Sequence, residues 1–133
     1  LKQIADNGLQ EEVLLHDRFI PDDDVKYYFS AADFVVQPYK TATQSGVTQI
    51  AYQFCVPMVV TKVGGLAEIV PDGRVGYVCE PTPEGVAGAI EQMYEGDTLQ
   101  RFRENCVEER RRFSWEEMCS RITELYGLVA SGK

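Results

Sequence analysis

ATQSGVTQIAYQFCVPMVVTKVGGLAEIV, residues 42–70, holds a helix and a strand between two glycine-bearing turns. Val47, Ile50, Ala51, Phe54 and Cys55 recur at i, i+3, i+4, the spacing of one buried helix face, and Pro57 stops the run. Met58-Val59-Val60 then supplies apolar residues on consecutive positions. A strand with one wet face would alternate; an unbroken apolar run suits a parallel sheet covered by helices on both faces.

The same alternation extends outward in both directions. Upstream, Phe34-Val35-Val36 reads as another strand, preceded by a helix face of Val25, Tyr28, Phe29 and Ala32, and Val13-Leu14-Leu15 as a first strand before that. Downstream, Tyr77-Val78-Cys79 makes a fourth strand. Alternating strands and helices predict an α/β fold, a Rossmann-like parallel sheet of four strands with flanking helices. The last third is helical. Thr82-Pro83-Glu84 opens a helix with Val86, Ala89, Ile90, Met93 and Tyr94 inward and Gly96 beyond it; Leu99, Phe102, Cys106 and Val107 mark a second face. Ser114-Trp115-Glu116-Glu117 is a capping box opening a third helix, with Met118, Cys119, Ile122, Leu125, Tyr126 and Val129 expected inward.

The 133 residues suffice for one domain with a real core. Leu1 to Gly8 reads as the tail of a helix with no start signal, so the chain is expected to be a fragment beginning inside an element, without at least one upstream strand. A net charge of −8 argues against nucleic acid as a partner. Arg110-Arg111-Arg112 is the one basic cluster, and Glu104, Glu108 and Glu109 nearby predict a self-paired, solvated face. No run is long enough to be a transmembrane segment. Cys55, Cys79, Cys106 and Cys119 lack close spacing, and three fall at apolar helix positions, so buried free thiols in a reducing, cytoplasmic setting are expected. With a single histidine, His16, set in an apolar strand pattern, no metal site is expected. Asp22-Asp23-Asp24 stands just before a helix face, where acids cap the helix and complement its dipole; that reading is preferred to a metal-binding D-x-D.

Ligands of open parallel sheets bind beyond the carboxyl ends of the strands. Thr43-Gln44-Ser45-Gly46 lies in such a loop and leads into a helix whose first N–H groups are unpaired and partly positive. A phosphate fits there, with Gly46 admitting it to the backbone and the Thr43 and Ser45 hydroxyls donating; equally, Ser45 is a plain N-cap and Gly46 only relieves crowding. Gly64-Gly65 either makes room for a ligand or simply turns the chain. Glu68 either accepts from a sugar hydroxyl or sits favourably in a first helical turn.

Together, Pro57-x-Val59-Val60-x-x-x-Gly64-Gly65-x-x-Glu68-Ile69-Val70, the following Asp72-Gly73-x-x-Gly76-Tyr77 and the preceding Tyr27-Tyr28-x-x-Ala31-Ala32-Asp33-x-x-Val36-x-Pro38 carry a family resemblance. From about Val13 to Tyr126 the chain resembles the nucleotide-sugar half of a GT-B glycosyltransferase, of the retaining type called family 4 or group 1. The resemblance implies that Thr43, Gln44, Ser45, Gly46 and Val47 offer backbone amides to the diphosphate of a nucleotide-diphosphate sugar. It places Phe19 and Ile20 where the backbone brackets the base, and Gly64, Gly65 and Glu68 at the donor pocket or its wall. It implies no metal or other cofactor, identifies no catalytic side chain, and puts a basic phosphate clamp and an N-terminal acceptor domain upstream of Leu1. Two glutamates usual in the family fall at Ala42 and Ile50, neither of which accepts a hydrogen bond through its side chain. The alternatives are a degenerate GT-B module kept for nucleotide binding or assembly, and a sugar epimerase of the same architecture.

Overall fold

The computed structural model describes residues 2–131. In chain order it forms α1 (Lys2–Asp6), α2 (Asp22–Ala31), β1 (Val35–Gln37), α3 (Gly46–Gln53), β2 (Met58–Thr61), α4 (Leu66–Ile69), β3 (Gly76–Cys79), α5 (Pro83–Met93), α6 (Thr98–Glu109), a 3₁₀ turn (Arg110–Phe113) and α7 (Trp115–Ser131). The strands lie in the order β1-β2-β3, all parallel, with Val35 opposite Met58, Gln37 opposite Val60, and Thr61 opposite Cys79.

β2 is buried along its whole length, as its unbroken apolar run requires. Met58 and Val60 enter one layer with Ala51 and Tyr52 of α3, Leu66 of α4 and Cys106 of α6. Val59 points the other way, into a layer with Ala89 and Met93 of α5 and Phe102 of α6. Helix α6 thus serves both layers, and each large side chain buried there contributes about 1.5–3 kcal/mol. The end of α3 carries its own stop signal: Val56 N–H reaches Ala51 O at 2.9 Å and Cys55 N–H reaches Tyr52 O at 3.1 Å, with Cys55 at φ +52°. This is a Schellman closure with cysteine at the position glycine usually takes.

Several expectations need correction. Val13-Leu14-Leu15 is not a strand, so the sheet has three strands among the described residues rather than four. A strand exists by pairing its backbone laterally, and no described strand lies beside this segment; Leu14 is 80% exposed, and His16 meets only Tyr28. Met118, Ile122, Leu125, Tyr126 and Val129 are exposed, not inward, because α7 packs against the 3₁₀ turn and not against the sheet. Cys119 is exposed as well, as is Val107. Only Cys106 is fully buried, and that burial pushes its thiol up to about 12. The Asp22–Asp24 run forms the first turn of α2 as dipole partners, but Pro21 holds the cap position and no side chain caps it. Leu1 lies outside the described residues.

The caps at the other end are as expected. Thr82 Oγ1 accepts from Gly85 N–H at 3.1 Å, with Pro83 in the first turn, and Ser114 Oγ accepts from Glu117 N–H at 3.1 Å. The basic cluster is only partly self-paired. Arg112 reaches Glu109 at 2.9 Å and Arg74 reaches Glu109 and Glu108 at 2.7 Å, tying the turn before β3 to α6; Arg110 and Arg111 have no carboxylate partner among the described residues.

Phe102 is fully buried and edge-on to Tyr77 at 5.2 Å. Urea denaturation should register a loss of about 3–5 kcal/mol for Phe102→Ala, against a change within about 0.5 kcal/mol for Val107→Ala. The hydrogen bond from Arg112 leads in holding the Glu109 carboxyl below its usual range, and Arg74 adds to it. A carboxyl lowered by folding stabilises above its unfolded pKa and loses that contribution as pH falls through the folded value. The denaturation midpoint of the wild type should therefore drop more steeply below about pH 4.5 than that of Glu109→Gln.

Candidate functional site at the carboxyl end of the sheet

The loop 38–45 after β1 and the turn 62–65 after β2 rise from the same end of neighbouring parallel strands, and they are joined through backbone. Gly65 N–H donates to Thr43 O at 3.1 Å. Gly64 has φ +53°, and a Cβ placed there would stand 1.7 Å from the Ala42 carbonyl oxygen. Only glycine permits both the left-handed backbone and the close approach. The pair is therefore a structural staple, and it brings Thr43 to Val47 and Gly64-Gly65 to one rim.

Sequence reasoning missed the polar layer beneath that staple. Gln37, at the end of β1, exchanges hydrogen bonds with Thr48 of α3 at 3.3 and 3.4 Å, and both are buried. Thr61, at the end of β2, donates to Tyr39 O at 2.6 Å, while the Tyr39 hydroxyl lies 3.5 Å from Ser45 Oγ. Buried polar groups are expensive unless paired, so this set locks the loop to the two strand ends. Its signal in the sequence is a polar residue closing each apolar run: Gln37 after Val35-Val36 and Thr61 after Met58-Val59-Val60.

Ser45 occupies the cap position of α3 with extended backbone, yet its hydroxyl caps nothing; it is buried and faces Tyr39. Thr48 N–H turns back to Ser45 O at 3.3 Å, whereas no described residue accepts from the N–H of Gly46 or Val47. A Cβ built on Gly46 meets nothing within 4 Å. Two donors without a partner among the described residues thus stand at the positive end of an eight-residue helix, with Gly46 exposed and Val47 half-buried.

No side-chain hydrogen bond or ion pair joins the other candidates to the cradle of residues 43–47. Glu68 is exposed on the four-residue α4. Phe19 is 84% exposed and Ile20 half-buried, and neither has a hydrogen bond or ring contact to the cradle. On the α5 side of the strand ends lies an apolar cleft of about 410 Å³, walled by Pro38, Lys40, Thr61, Pro81, Val86 and Ile90; it includes none of residues 43–47.

A parallel sheet under helices on both faces, ending in a helical tail, is the architecture of the C-terminal half of a GT-B fold. The chain matches the family model described as glycosyl transferases group 1 over residues 1–96, and it belongs to that family. A D-inositol 3-phosphate glycosyltransferase 2 from Catenulispora acidiphila is 34% identical over 102 residues, which are 74% of this chain and 24% of that protein. A D-inositol 3-phosphate glycosyltransferase from Paenarthrobacter aurescens is 29% identical over 132 residues, 97% of this chain and 32% of that protein. The chain thus spans about a quarter to a third of the length of these curated relatives. Sucrose-phosphate synthase from Thermosynechococcus elongatus shares the fold with a TM-score of 0.77 at 22% identity, over 99% of this chain and 34% of that one. The C-terminal domain of a group 1 glycosyl transferase family protein from Francisella tularensis does so with a TM-score of 0.71 at 18% identity, over 81% and 56%.

Gly64→Ala should destabilise the chain by about 2–4 kcal/mol, from left-handed strain together with the clash at Ala42. Gly46→Ala, made into open space, should stay within about 1 kcal/mol. Chemical denaturation of the two variants measures the contrast.

Proposed function

We propose that the chain is the donor-binding domain of a retaining glycosyltransferase, a hexosyltransferase that moves a sugar from a nucleotide-diphosphate donor to a glycan, lipid or other acceptor. The observation that carries this is the pair of N–H groups at Gly46 and Val47 with no acceptor among the described residues, at the start of the helix whose preceding loop is stapled to the Gly64-Gly65 bend. The amides of Ser45, Gly46 and Val47 receive the diphosphate, with Thr43 and Gln44 along the rim and Gly64, Gly65 and Glu68 shaping the wall next to the sugar. Fixed donors aimed at a leaving diphosphate stabilise charge as it develops and need no reorganisation during the reaction. Phe19 and Ile20 bracket the base once an upstream strand lies beside their segment. In this reading the chain is one part of a longer cytoplasmic protein whose N-terminal domain holds the acceptor, and by itself it turns nothing over.

A second reading, a non-catalytic nucleotide-binding or assembly module, draws on Ala42 and Ile50, the positions where the resemblance implies glutamate. Ala42 is half-buried with its carbonyl against Gly64, and Ile50 is half-buried on α3, so neither side chain holds ribose or sugar hydroxyls.

Calorimetric titration of UDP-glucose and GDP-mannose, into this chain and into a longer protein containing it, together with an assay of donor hydrolysis by the longer protein, separates the two: saturable heat without hydrolysis marks a non-catalytic nucleotide-binding module. Saturable heat is expected with one donor, weakened about tenfold or more in Gly46→Val while the denaturation midpoint stays nearly unchanged. Absence of saturable heat with either nucleotide sugar supports the assembly module, and equal losses of binding and stability reduce Gly46 to a structural role.

A further inference from the structure

Most arginines of the helical half are neutralised. Arg74, Arg101, Arg103, Arg112 and Arg121 each lie within 4 Å of a carboxylate. Arg110 and Arg111 do not: Arg110 Nη1 approaches only the sulfur of Cys55, at 3.6 Å, and Arg111 has no partner among the described residues. In a chain of net charge −8, two unneutralised guanidinium groups on adjacent residues form a local exception.

They also share a concavity. A groove of about 590 Å³ runs along the outer face of α3, walled by Gln49, Gln53, Arg110, Arg111 and Trp115. Its volume is that of a small-molecule site. The walls are held in place. Phe113 packs on the buried ring of Tyr52 at 4.9 Å, which pins the 3₁₀ turn, and the Ser114 cap sets the first turn of α7, where Trp115 begins. The indole is nonetheless 77% exposed. A large aromatic face kept in water beside free cations and two side-chain amides one helical turn apart is a recognition surface by its chemistry. Guanidinium forks pair bidentately with phosphate, an indole stacks on the C–H face of a sugar ring, and amides donate to and accept from hydroxyls.

We infer that the groove between α3 and the start of α7 binds a phosphorylated sugar or polyol, either free in solution or displayed as a lipid headgroup. The groove's lining includes none of residues 43–47, and the inference does not depend on the donor reading.

Trp115 is the protein's single tryptophan, so its emission reports on this groove directly. Glucose 6-phosphate and vesicles containing phosphatidylinositol are each titrated against that emission, with glucose, inorganic phosphate and phosphatidylcholine vesicles as controls. A saturable change is expected with one or both of the first pair, weaker by about tenfold or more with the controls and in Arg110→Ala/Arg111→Ala. The responding arm identifies the source. Both arginines are exposed, and circular dichroism checks that the double variant is folded; Arg111→Lys, which keeps the charge but loses the fork, should fall between the two. No saturable change with either probe, an equal response to inorganic phosphate, or an unaltered response in the double arginine variant each overturns the inference.

Discussion

The contact on which the arrangement depends is made by backbone alone. At the carboxyl ends of β1 and β2 the Gly64 α-carbon sits against the Ala42 carbonyl, and Gly65 N–H closes onto Thr43 O. A side chain on Gly64 would push the two turns apart, and with them the rim that presents the start of α3. The contact uses no side chain, and the loop it fixes leads directly into the start of α3, where Gly46 and Val47 have N–H groups with no acceptor among the described residues.

Support for that rim comes from below. Gln37, Thr48, Thr61 and Tyr39 form a small polar network in an otherwise apolar centre, and no buried side-chain polar atom among the described residues is left without a partner. Such networks rigidify what they join when every member is satisfied. Here they join the ends of two strands to the loop and helix that carry the candidate phosphate donors, which suits a site needing fixed dipoles more than it needs reactive side chains.

The molecule has two distinct surfaces. The sheet and α3 to α6 form a well-packed body, with Met58, Val60, Leu66, Met93 and Phe102 wholly buried. By contrast, the segment from Val13 to Phe19 and the whole of α7 present Leu14, Phe19, Trp115, Ile122, Leu125 and Val129 to solvent. Apolar periodicity in α7 predicts that Met118, Ile122, Leu125, Tyr126 and Val129 turn inward, and all are exposed, because periodicity reports only that a face could take a partner. It carries no information on whether that partner lies in the described residues. The same holds for Val13-Leu14-Leu15, whose apolar run has no strand beside it among the described residues.

What the sequence by itself determined was local: helix faces at 3.6 spacing, β2 as an unbroken apolar strand, the Thr82 and Ser114 caps, and the glycine turn after Thr61. These rest on propensity, capping and burial pattern, which act over a few residues and are written in order along the chain. Tertiary structure alone decided that Gly64 meets Ala42, that Ser45 turns to Tyr39 instead of capping α3, that Gln37 finds Thr48, and that Arg110 and Arg111 escape the glutamates beside them. Each of those outcomes depends on which distant atoms arrive at van der Waals or hydrogen-bond range. That is set by how strands stack and helices cross, and linear spacing does not encode it.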